Sequence, residues 1–192
     1  DAAQGIEAQT LANLYLAQGK KHEPIDQFEN ALATNPKDAA AYMSLAQVYE
    51  RDNDYQNAIG VYERALKENP DFWLASNNLA LLLSEHADRK TDLERAVTLA
   101  KAALEKRPGD PTILDTLGWT YYQLGDYDQA RDVIEKAVTA APDTAIFNYH
   151  MGMILYKTGE RGAARRQLEK ALAGDEKFIG RDVAEATLKE LS

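Results

Sequence analysis

The chain has 192 residues, 45% of them apolar and 28% charged, with a formal net charge of −9 at pH 7 and no cysteine. Those proportions belong to a folded chain rather than a disordered one. The acidic balance argues against nucleic acid or anionic lipid as a partner, and the lack of cysteine excludes disulfides and thiolate metal sites.

Four prolines, Pro36, Pro70, Pro108 and Pro142, stand 34, 38 and 34 residues apart, each between Ala/Leu-rich segments of helical pattern. Proline lacks an N–H and disfavours helix in the residue before it, so each marks a boundary. Read in chain order, residues 5–38 form a helical hairpin with helices near 6–18 and 22–34. The second of these is expected to begin near Glu23, because Pro24 fits only a first helical turn. Residues 39–72 form the next pair, near 39–51 and 55–68. Residues 73–110 form the third, near 73–85 and 92–106, with four extra residues within 84–92 that read as a longer turn or a recognition loop. Residues 111–144 give helices near 111–124 and 127–140, and residues 145–178 give helices near 145–158 and 161–173. Gly19, Gly125 and Gly159 are placed in turns, and Asp54 and Asp126 as N-caps. An amphipathic helix within 180–192 is expected to cap the last hairpin.

Aligned on the prolines, the chain shows columns. One reads Ala31, Ala65, Ala103, Ala137, Ala171; another reads Ala12, Ala46, Ala80, Gly118, Gly152; a third reads Phe28, Tyr62, Ala100, Ile134, Leu168. Small residues let antiparallel helices approach closely, and large apolar ones fill the space beside them. With Leu45, Ala46, Tyr49, Ala58, Tyr62 and Pro70 in the second unit and Leu117, Gly118, Tyr121, Ala130, Ile134 and Pro142 in the fourth, the chain resembles the tetratricopeptide repeat family, whose pattern is W-x2-L-G-x2-Y, A-x3-F and P. The resemblance spans about residues 5–178 and implies an all-α fold: a right-handed α-solenoid of five helical hairpins plus a C-terminal capping helix. It also implies a bacterial protein loosely similar to those of exopolysaccharide export and envelope assembly.

No catalytic constellation is legible. His22, His86 and His150 share no helical face, and a catalytic or metal role needs convergent partners. Asp52, Asp54 and Glu63 match three positions of a calcium loop, but Asn57 replaces its central glycine. No cofactor, metal or enzymatic activity is expected. The longest uninterrupted apolar run covers residues 79–83, against the ~20 residues of a membrane span, so no direct membrane insertion is expected. The chain starts at Asp1 without a methionine, from which an excised piece of a longer protein is expected; cytoplasm and periplasm are both compatible.

In the family, first helices line a concave groove. Carried over, the candidate ligand-binding residues are Asn13, Met43, Gln47, Asn77, Asp115, Trp119, Tyr122, Tyr149, Met153 and Tyr156. Family members that grip a C-terminal carboxylate use lysines, arginines and asparagines there. The matching positions here hold Gln9, Asn13, Ser44, Leu74 and Asn78, which argues against that clamp. The aromatic half of the groove points to an extended peptide or partner helix, with Asn77 and Asp115 fixing its backbone. The expected function is a non-catalytic protein-interaction scaffold. Its alternatives are an accessory domain of a larger envelope or export protein, and an array that self-associates through its first hairpin.

Overall fold

A computed structural model describes residues 22–86, 89–175 and 177–191. Within these residues the chain forms ten α-helices and no strand. They are α1 (His22–Thr34), α2 (Ala39–Arg51), α3 (Tyr55–Glu68), α4 (Trp73–Glu85), α5 (Lys90–Lys106), α6 (Pro111–Leu124), α7 (Tyr127–Ala140), α8 (Ala145–Lys157), α9 (Arg161–Ala171) and α10 (Arg181–Glu190). The expected helix at 6–18, with Asn13 and Gly19, lies outside the described residues.

Local chemistry sets the helix ends. Asp38, Asp54, Asp110 and Asp126 each accept a hydrogen bond from a backbone N–H two or three residues on, which satisfies a donor the helix start leaves open. Pro111 occupies the first turn of α6, where its missing N–H costs nothing. Gly125 and Gly159 take positive φ in equivalent turns, and Asn53 does the same at φ 58° in the second pair. Pro24 is fully buried in the first turn of α1.

In the third pair the insertion partly extends the helix. The chain is helical from Lys90, two residues before the expected Asp92, and α5 reaches 17 residues. Arg89 pairs with Asp92 across this start at 3.2 Å, a contact that a charged insertion makes available.

The hairpins nest through their small residues. Ala46, Ala80, Ala58, Ala96, Ala130 and Ala164 are all fully buried. In two pairs the first-helix residue is glycine, and the facing side chain fills the space a methyl would need. A Cβ on Gly118 would sit 2.4 Å from Ile134 Cγ1, and one on Gly152 would sit 2.7 Å from Leu168 Cδ2. In the third pair both aligned positions, Ala80 and Ala100, are alanine. In the fourth and fifth pairs small and large residues thus share one volume, as a close-packed interior requires.

Candidate functional site: the inner wall

The first helices form one wall. α4 packs against α6, and α6 against α8. The second helices stand further apart and are bridged by long side chains. Arg64 on α3 meets Glu29 on α1 through two bonds of 2.7 and 2.8 Å, and Arg95 on α5 meets Glu63 on α3 at 2.7 Å. From α4 to α8 the first helices touch directly while the second helices do not pack this closely, an arrangement that bends the array toward its first-helix side.

An aromatic block stands in the C-terminal half of this wall. Trp119 on α6 stacks on Tyr122 with 4.5 Å between ring centroids, and on His150 of α8 at 3.9 Å; it leans on Tyr149 at 5.7 Å. Burial, with Tyr127 and Tyr149 nearby, pushes the Tyr122 phenol up to about 12. His150 Nδ1 lies 2.8 Å from Asp115 Oδ1, and both side chains are buried. A carboxylate can only accept, so the imidazole donates, and each group satisfies the other. Asp115, expected to hold a partner's backbone, is engaged within the wall instead. The sequence did hold a signal for this pair: the separation is 35 residues, one 34-residue period plus one.

The next stretch is taken by the chain's own C-terminal helix. Tyr149 is buried against Phe178, with ring centroids 5.4 Å apart, and burial raises its phenol pKa. Thr187 Oγ1 approaches Met153 Sδ at 3.8 Å. Tyr156 donates to Glu190 Oε2 at 2.6 Å, and Arg161 donates to the Glu190 carbonyl at 2.7 Å. Tyr149, Met153 and Tyr156 share one face of α8 at i, i+4 and i+7, and α10 sits over it.

Of the residues nominated from sequence, Met43, Gln47, Trp119, Tyr122 and Tyr156 are half-buried on the wall, while Asn77, Asp115, Tyr149 and Met153 are buried; Asn13 lies outside the described residues. At the α2–α4 end, Tyr62 donates to Glu50 Oε1 at 2.6 Å and Asn78 donates to the Tyr62 hydroxyl at 3.3 Å. Burial first, then the Glu50 charge, drives the Tyr62 phenol far above its ordinary range. Sequence reading missed this chain of contacts because Tyr62 belongs to a second-helix core column. His86 stacks on Tyr55 at 3.6 Å. No group of three metal-ligating side chains converges among the described residues, and no described helix is long and apolar enough to cross a membrane.

Profiles described as tetratricopeptide repeat match residues 10–71, 53–111 and 90–149. Superkiller protein 3 of Schizosaccharomyces pombe is 29% identical over 124 residues, which is 61% of this chain and 9% of that protein. Cellulose synthase operon protein C of Pseudomonas fluorescens is 29% identical over 113 residues, 59% of this chain and 8% of that protein. The chain thus spans less than a tenth of either relative's length. A thermophilic repeat protein of Thermus thermophilus superposes with a TM-score of 0.73 at 22% identity, over 96% of this chain and 99% of its own. Repeat columns, helix order and profile matches converge: the chain belongs to the tetratricopeptide repeat family.

Proposed function

We propose that the chain is a non-catalytic interaction scaffold whose inner wall receives a peptide or a helix of a protein partner. Tetratricopeptide proteins are generally protein-interaction scaffolds, and the fold is typically non-catalytic. The observation that carries the reading is the Trp119–Tyr122 stack, half-buried on the inner wall rather than sealed in the core. Stacked rings present a large rigid apolar area and lose little rotamer freedom on contact, which is why aromatic anchors dominate binding hot spots. Met43 and Gln47 on α2 extend the same surface, while Tyr156 on α8 is engaged by Glu190 of α10.

The test is to pan a displayed peptide library on the array and measure the enriched peptides by calorimetry against Trp119→Ala and Tyr122→Ala. Each variant is expected to weaken binding by about ten-fold or more, as hot-spot truncations do. Unchanged affinity in a folded variant would overturn the reading.

A second reading has its own support. The likeness to cellulose synthase operon protein C favours an accessory array within a larger envelope or export protein. The two readings are compatible, since such an array also acts by binding.

A further inference from the structure

The inner wall and the outer helices differ in charge. α4 and α6 contain no lysine or arginine, while α2 and α8 each carry one, Arg51 and Lys157, at the last helical residue. The carboxylates of these four helices are Glu50, Glu85 and Asp115. Asp115 is answered by His150 and Glu50 by Tyr62. Glu85, half-buried at the end of α4, has no hydrogen bond or ion pair among the described residues.

Two further groups on α4 are unanswered. Asn77 and Ser84 are each 3% exposed, and Asn77 Oδ1 and Ser84 Oγ are buried without a hydrogen-bond partner. Residues 77, 84 and 85 fall within one side of a helix, since i, i+7 and i+8 lie about 100° apart at most. Buried polar atoms are nearly always paired, and one left open costs the desolvation of that group. A single helical stripe therefore holds two orphaned oxygens and an unpaired carboxylate. The Asn77 oxygen and the Glu85 carboxylate lack a hydrogen-bond donor, and the Ser84 hydroxyl, which can accept as well as donate, lacks any partner. Burial raises the Glu85 carboxyl pKa, with His150 pulling it down and Glu50 pushing it up.

We infer that the partner segment carries a lysine or arginine, received by Glu85 with Glu50 beside it, and that its N–H groups meet Asn77 and Ser84. The proposal rests on the groove reading above and narrows it to a basic segment. The neighbouring Trp119 and Tyr122 rings suit this chemistry, because a cation is attracted to an aromatic face. The outer helices supply the contrast: they carry charges of both signs, and some pair across neighbouring elements, as in Arg64–Glu29, Arg95–Glu63 and Lys106–Asp71.

Three fluorescent peptides of one apolar scaffold, blocked at both ends and bearing two lysines, two norleucines or two glutamates, test this by anisotropy against the full chain. The lysine peptide is expected to bind tightest, by about ten-fold over the glutamate peptide. Glu85→Gln should weaken it by about five-fold or more, whereas Glu135→Gln on outer α7 should leave it within about two-fold, since an exposed remote charge acts only through the screened general field. Asn77→Leu, which removes an orphan while keeping volume, should weaken it too without lowering the melting temperature. Equal loss in Glu135→Gln, or none in Glu85→Gln, would overturn the inference. If the norleucine peptide binds as tightly as the lysine one and still depends on Trp119, the charge inference falls and the groove reading stands. If no peptide binds, both fall.

Discussion

Gly180 lies directly against the phenol of Tyr149. A Cβ added there would sit 2.5 Å from the Tyr149 hydroxyl, and Gly180 also adopts φ +92°, where side chains other than hydrogen are strained. Glycine is thus required twice over at the start of α10, and the contact is what brings the capping helix onto the face of α8. Gly180→Ala should destabilise the array by about 2–3 kcal/mol, the sum of a left-handed-backbone penalty and an overpacking penalty. Thermal unfolding would report this. Limited proteolysis should show faster cleavage near residues 174–180, since α10 buries few residues of its own.

Glycine-to-alanine changes should differ in sign by position. Gly118→Ala forces a methyl into Ile134 and is expected to cost about 1–3 kcal/mol. Gly60, inside α3, has nothing within 4 Å of its would-be Cβ. Gly60→Ala should therefore stabilise by about 0.5–1 kcal/mol through reduced unfolded-state entropy and better helix propensity. Urea unfolding of the two variants side by side is the check; a stabilised Gly118→Ala would contradict the described packing.

Trp119 bridges two helices, because its ring stacks on both Tyr122 of its own helix and His150 of α8. Trp119→Ala should cost about 3 kcal/mol of stability, the lower end for a truncated buried aromatic, since the ring is half-exposed. Trp119→Phe should keep most of that stability. Comparing both for peptide affinity separates packing from binding: if Trp119→Ala loses stability while both variants bind as the native chain does, the ring is structural alone.

Two carboxylates should respond to pH in opposite directions. Burial raises Glu85 above the ordinary value of 4.5, so the folded chain holds that proton more tightly than the unfolded one. Its ionisation then works against folding as pH rises from 4.5 through the folded-state value. Glu29 is lowered below 4.5, first by the Arg64 hydrogen bond and against its own desolvation. Its contribution is present above 4.5 and lost as pH falls through the folded-state value. Melting temperatures between about pH 4 and 8 should show Glu85→Gln gaining on the native chain as pH rises, and Glu29→Gln meeting it only in acid. The Glu29 effect should stay below about 1 kcal/mol because the pair is exposed. Parallel curves for the two variants would refute this assignment.

The helices and their pairing were legible in the sequence because their causes are local and periodic. α2, α3, α4, α6 and α7 begin and end where the column pattern expects, each bounded by an Asp cap, a proline link or a turn residue within a few positions. The contact of Gly118 with Ile134 could not be read from the two columns, where Ala46 stands with the larger Tyr62. Nor could the early start of α5, since a charged insertion extends a helix as readily as it loops; the Arg89–Asp92 contact accompanies that start.

What the sequence by itself determined is therefore the solenoid: a 34-residue period of small and large residues stacks helix pairs whatever lies between them. Which inner-wall side chains stay open was decided only by the tertiary structure. Asp115 is closed by His150 from the next repeat, Tyr149 by Gly180 from beyond the last, and Glu85 by nothing among the described residues. These outcomes depend on groups that meet across helices, where side-chain reach and the docking of α10 set the neighbours and no column records them.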